Sequence, residues 1–147
     1  MFPSFRQFLA MLRRLGLALA IGVALVWLAA ATAHARPRQP PLLAAASRFL
    51  GARNFTHFHG PWCAEAVDRW LGMAGYRRLH SRRAIDFARY GRRTAPRPGA
   101  LAVMRHHVGI VVRMTARGPL LLSGNHTHRV GLGIYPRRHI LAYRSPL

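Results

Sequence analysis

Lysine is absent from this chain. All 23 basic residues are arginine, and they face three acidic residues, Glu65, Asp68 and Asp86, for a formal net charge of +20. So few carboxylates narrow the chemistry. A glycosidase of the two-carboxylate type needs two of these three flanking one cleft, and Glu65 and Asp68 lie three apart on one expected helix. Cysteine occurs once, at Cys63, so no internal disulfide is possible and the fold must rest on an ordinary core. No internal repeat is present. The arginines are scattered and form no single run, which leaves two readings open. One is an electropositive surface for an acidic polymer such as cell wall, nucleic acid or anionic lipid. The other is a solvated surface rich in arginine.

What is present begins with a targeting segment. Arg6, Arg13 and Arg14 form a positive stretch, and residues 15–33 are uncharged and dominated by Leu, Ala, Val and Ile. Ala33-His34-Ala35 then supplies a small-residue cleavage pattern. Residues 1–35 read as a secretory signal peptide. The alternative is an uncleaved anchor, since the apolar run approaches the ~20 residues that span a bilayer. Either way the domain is expected to be exported, periplasmic or secreted, with membrane contact only through this segment. Residues 36–41 read as a Pro-rich linker, and residues 42–147 have the length of one domain.

Along the domain, Leu42 to Leu50 carries apolar residues at helical spacing and stops at Gly51. Pro61 to Met73 reads as a second helix, with Pro61 in its first turn. Val67, Trp70, Leu71 and Ala74 form its apolar stripe, Asp68 and Arg69 its wet side, and Gly75 its stop. Ser81 suits the N-cap of a third helix running to Tyr90. After Arg92 the texture changes to strands: Ala100–Met104, His107–Met114, Pro119–Ser123, Arg129–Tyr135 and His139–Arg144, with a polar corner at residues 124–128. In the second of these, alternation puts Val108, Ile110, Val112 and Met114 on one face and His107, Gly109 and Val111 on the other. Helices first and an antiparallel meander after is an α+β layout, with two to three helices packed on about five strands.

Cys63 falls in the first turn of the second helix, where the helix dipole favours thiolate and lowers the thiol pKa. Nucleophilic use of that thiol requires an imidazole within reach and a third group on the other ring nitrogen. That third group is a carboxylate or a neutral amide, and the amide matters here because the strand half contains no acid. His107 at a strand start, with Gly109 leaving room beside it, and Asn125 one hairpin later form a candidate Cys-His-Asn set. Each also has a plain reading: a buried inert thiol, a structural strand histidine and an asparagine turn former.

Several short motifs carry a resemblance. Trp62-Cys63-Ala64 at a helix start, Pro98-Gly99-Ala100 before a strand and His107-Val108-Gly109-Ile110-Val111 in the next are followed by Ser123-Gly124-Asn125-His126, Tyr135-Pro136 and Leu141-Ala142-Tyr143-Arg144. In this order they resemble CHAP-like domains, the cysteine, histidine-dependent amidohydrolases/peptidases related to NlpC-type cell-wall hydrolases. The similarity runs from about Leu42 to the C-terminus. The resemblance implies a papain-like fold and cleavage of amide bonds in peptidoglycan stem peptides. Cys63 would be the nucleophile, His107 the base and Asn125 the polar third residue, with no cofactor and no metal. Many CHAP domains have an acid two residues before that Asn; Ser123 stands there in this chain.

Trp62, His126 and His128 are candidate substrate-binding residues, and Arg105, Arg113 and Arg129 flank the expected cleft. Trp62 fits a core aromatic equally well. A monomer with no obligatory nucleic acid is expected. Two alternatives remain from other classes. One is a non-catalytic wall-binding or nucleic-acid-binding module with interleaved arginines and aromatics. The other is a metal-binding protein using His57-x-His59, His106-His107, His126-x-His128 and Cys63, although none of these has a recognised zinc spacing.

Overall fold

The computed structural model describes residues 39–147; the signal-peptide reading and most of the linker lie outside them. Helix α1 spans Pro41–Ser47 and helix α2 Cys63–Met73, followed by a 3₁₀ helix at Ala84–Arg89. Six strands complete the domain: β1 Arg92–Arg93, β2 Leu101–Val103, β3 Val108–Thr115, β4 Gly118–His126, β5 Arg129–Ile134 and β6 Ala142–Ser145. They form one sheet in the order β1-β6-β2-β3-β4-β5, with every recorded pairing antiparallel. The α+β layout expected from the sequence is therefore the observed one, with one strand more than expected. The addition is β1, two arginines paired with Arg144 and Ser145 at the sheet edge. Two exposed charged residues leave no apolar alternation to read.

The sheet is buried on both faces, and strand alternation sorts the side chains. Leu101, Val103, Val108, Ile110 and Leu122 pack with Leu42, Val67, Trp70, Leu71 and Phe87 from the helical layer. Ala100, Ala102, Met104, Val111 and Leu121 form a second cluster on the far face, covered by Tyr135, Ile140 and Tyr143. Alternation in β3 holds as far as Val112, which packs on the helical side with Val108 and Ile110. A register shift between Val111 and Arg113 turns the strand, so Met114 joins the far cluster instead of sharing a face with Val108 and Ile110.

Helix α2 begins two residues later than expected. Pro61 lies outside it, Trp62 occupies the position before the first turn, and Cys63 is the first helical residue. Its far end matches the expected glycine stop. Gly75 has φ +80°, its N–H bonds to the Gly72 carbonyl, and the Tyr76 N–H returns to Leu71. The third helix is 3₁₀, and Ser81 does not cap it: the Ser81 hydroxyl donates to Asp86 and accepts the Arg83 N–H. Asp68, expected on the wet side of α2, is buried. It accepts two hydrogen bonds or ion-pair contacts from the Arg78 guanidinium (2.9 and 2.8 Å) and two from the backbone N–H groups of Leu79 and His80 (2.6 and 2.9 Å). The chain after the helix folds back over it, which no helical wheel records.

Candidate active site around Cys63

The start of α2 abuts the start of β3. The Cys63 thiol donates to the His106 carbonyl at 3.9 Å. The backbone N–H groups of Val108, Ala64 and Cys63 itself favour a thiolate there, as expected for a helix start. Burial opposes them and is the larger effect, so the thiol pKa is raised above its ordinary value. The expectation of a lowered pKa is thus overturned. Only 3% of Cys63 is exposed, and the dipole and amide contributions do not offset the loss of solvent.

His107 immediately precedes β3, flanked by the two residues whose backbone touches the thiol. Its ring stacks on Tyr135, with centroids 5.1 Å apart and planes 19° from parallel. Its Nε2 is 3.1 Å from the Tyr135 hydroxyl. The same hydroxyl lies 3.1 Å from Nδ1 of His126. One phenol thus links two imidazoles. The His107 pKa is lowered to about 4, first by burial and then by the electrostatic influence of nearby His126. Burial also raises the Tyr135 pKa; the nearby Ser123 hydroxyl lowers it and a Cys63 thiolate raises it. Ser123 is fully buried and its Oγ has no partner at bonding geometry.

The local sequence explains this arrangement. His126 lies over two glycines of β5: a Cβ on Gly131 would come within 2.8 Å of its ring, and one on Gly133 within 2.5 Å. Bare backbone at both positions lets the imidazole lie flat against the strand and meet Tyr135 just beyond it. Tyr135 entered the sequence reading only as part of a motif, not as a site residue. The signal available for it was the alternation Gly131-x-Gly133-x-Tyr135 opposite a histidine.

Asn125 does not hold His107. The pairing of β4 with β5 slips between Ser123 and His126, and Asn125 sits in that irregularity with φ +56°. It makes no side-chain hydrogen bond among the described residues. Instead it lines a separate cleft of about 450 Å³ with Asn54, His59, Trp62 and His128. Trp62 is buried, edge-on to Phe55 at 6.1 Å, and also lines that cleft. His128 is exposed at a turn with φ +63°, and His126 belongs to the His107 cluster rather than to the cleft. On the other side of Pro61 a second cleft, of about 630 Å³, is lined by Arg82, Arg83, Arg105 and His106. Arg113 and Arg129 line neither cleft.

Among the described residues, no group of three His, Cys, Asp or Glu side chains is placed to hold a metal ion. No helix among these residues is long and apolar enough to cross a membrane. No protein-family model matches the chain, and no curated protein matches it.

Proposed function

We propose that this chain is an exported cysteine hydrolase that cleaves amide bonds in peptidoglycan stem peptides, with Cys63 as nucleophile and His107 as base. One observation carries the reading. The only thiol of the chain, at the first residue of α2, packs against the backbone on both sides of His107, whose ring is held by a neutral partner. The CHAP-like motif order supports the substrate class, and the apolar N-terminal segment supports export.

The geometry constrains the proton path. Nε2 of His107 is engaged by Tyr135, so Nδ1 is the nitrogen left to receive the thiol proton. Nε2 then carries its hydrogen and donates to the Tyr135 oxygen, and Tyr135 donates onward to Nδ1 of His126. Tyr135 therefore takes the positioning role that Asn125 was expected to fill. Burial holds thiol and imidazole neutral at rest, so proton transfer accompanies attack. The thiol proton passes to Nδ1 as sulfur bonds to the substrate carbonyl carbon. Backbone N–H groups at the start of α2 stabilise the oxyanion. Collapse breaks the C–N bond, and Nδ1–H protonates the leaving amine. Water then hydrolyses the thioester.

Purified peptidoglycan digested with the protein and analysed by mass spectrometry should yield new peptide or amine termini. Cys63→Ala should yield none. Equal digestion by that variant would remove Cys63 from the mechanism. A second reading, a wall-binding module without catalysis, is favoured by the burial of the thiol; it is supported if the unmodified protein binds peptidoglycan and releases no fragment.

A further inference from the structure

The two clefts that meet at Pro61 differ in charge. Arg82, Arg83 and Arg105 line the larger one, while its apolar wall includes Pro61, Ile85 and Leu141. Arg82 is partly compensated: its Nε is 3.7 Å from Glu65, and its guanidinium lies 4.6 Å from the centre of the Phe58 ring. Glu65 is shared with Arg69 at 3.3 Å. Arg83 faces Asp86 at 3.9 Å. Arg105 has no ion pair and no side-chain hydrogen bond among the described residues. Glu65 and Asp86 thus serve three guanidiniums, Arg105 is left without a carboxylate, and the rim stays positive. Leu141 is 58% exposed beside it. The smaller cleft is lined by amide, imidazole and indole groups, with no Arg, Asp or Glu.

We propose that the larger cleft is a carboxylate-binding subsite for a short apolar peptide, with Arg105 as its main anion contact. A planar guanidinium binds a carboxylate through paired N–H donors, and the apolar wall takes the adjoining side chain. The thiol donates to the carbonyl of His106, and His106 and Pro61 both line this cleft, so the cleft adjoins the start of α2. An anionic peptide crossing Pro61 is oriented by the charge difference, with its carboxylate on the Arg105 side. The orientation relative to the scissile bond rests on the hydrolase reading; the binding preference does not.

The test is an NMR titration of the full chain carrying Cys63→Ala with acetyl-Ala-Ala-Ala as free carboxylate and as C-terminal amide. The carboxylate form should bind about tenfold or more tightly, roughly the discrimination of one charge-assisted hydrogen bond. Arg105→Gln should reduce the difference to within about twofold, whereas Arg113→Gln, outside the cleft, should preserve it. Equal binding of the two peptides overturns the subsite. Equal losses from Arg105→Gln and Arg113→Gln also overturn it, because they indicate diffuse surface attraction. The variant lacks the thiol, so absence of peptidoglycan cleavage by the unmodified protein refutes the proposed activity and leaves this result standing.

Discussion

Helix α2 buries two polar side chains, Cys63 and Asp68, and treats them in opposite ways. Asp68 has its interior position satisfied, because the following chain surrounds its carboxyl group with the Arg78 guanidinium and two backbone N–H groups. Cys63 receives no cationic partner. Its neighbour His107 is held by a phenol and not by a carboxylate, and burial drives both groups towards their neutral forms. The difference shows where the scarce acids are used. All three sit in the helical half and form ion pairs there, and the cluster around His107 contains none.

The largest expected effects separate the two regions. Cys63→Ala should lower hydrolysis by about a thousandfold or more, with stability within about 1 kcal/mol of the parent. Asp68→Ala should do the reverse. Losing the buried carboxylate leaves two backbone N–H groups without their acceptor and the part-exposed Arg78 without its partner, at a cost of about 2–4 kcal/mol in urea unfolding, while the acid limb of the pH–rate profile stays in place. A thousandfold activity loss in a folded Asp68 variant would break the division.

The next effect concerns His107. Its folded pKa, about 4, lies below the ordinary 6.5. The unfolded chain therefore binds more protons between these values. The associated stability is complete above pH 6.5 and is lost as pH falls towards 4, by about 3 kcal/mol in all. Urea unfolding at pH 7 and pH 4 should show this slope, and His107→Gln should remove most of it. The same shift extends hydrolysis to acid pH, with the acid limb of kcat/KM nearer 4 than 6.5.

Smaller effects sharpen the contrast within the site. Tyr135→Phe should lower kcat by about 10- to 100-fold with little change in KM, because it frees the ring of the base without touching bound substrate. Asn125→Ala should change kcat by less than about threefold and should act through KM. A reversal of these two would restore Asn125 as the holder of His107. Finally, the raised Cys63 pKa predicts slow alkylation by iodoacetamide at pH 7, increasing through pH 9 without a plateau. A plateau below pH 7 would indicate a preformed thiolate–imidazolium pair.

Much of this was legible because it is local. Gly75 marks the end of α2 through its left-handed conformation, and β-branched runs mark β3. The position of Cys63 beside a helix start depends on neighbours in sequence. Asp68 was misplaced because a helical pattern sees only its own helix, and the covering residues, 77–80, come after the turn. Asn125 was misplaced because a slip in strand pairing re-aims one side chain and leaves no trace in composition. Tyr135 was overlooked because its role depends on two glycines of β5 lying under a histidine of β4.

The sequence by itself determined that the protein has one thiol, no internal disulfide, no acid in its strand half, and helices followed by an antiparallel sheet. Only the tertiary structure decided which group meets the His107 ring, and which way the surroundings push the thiol pKa. Both depend on what is packed within a few ångströms: the irregular β4–β5 pairing turns Asn125 away, the glycine-bared strand brings Tyr135 in, and burial outweighs the helix start in setting the state of Cys63.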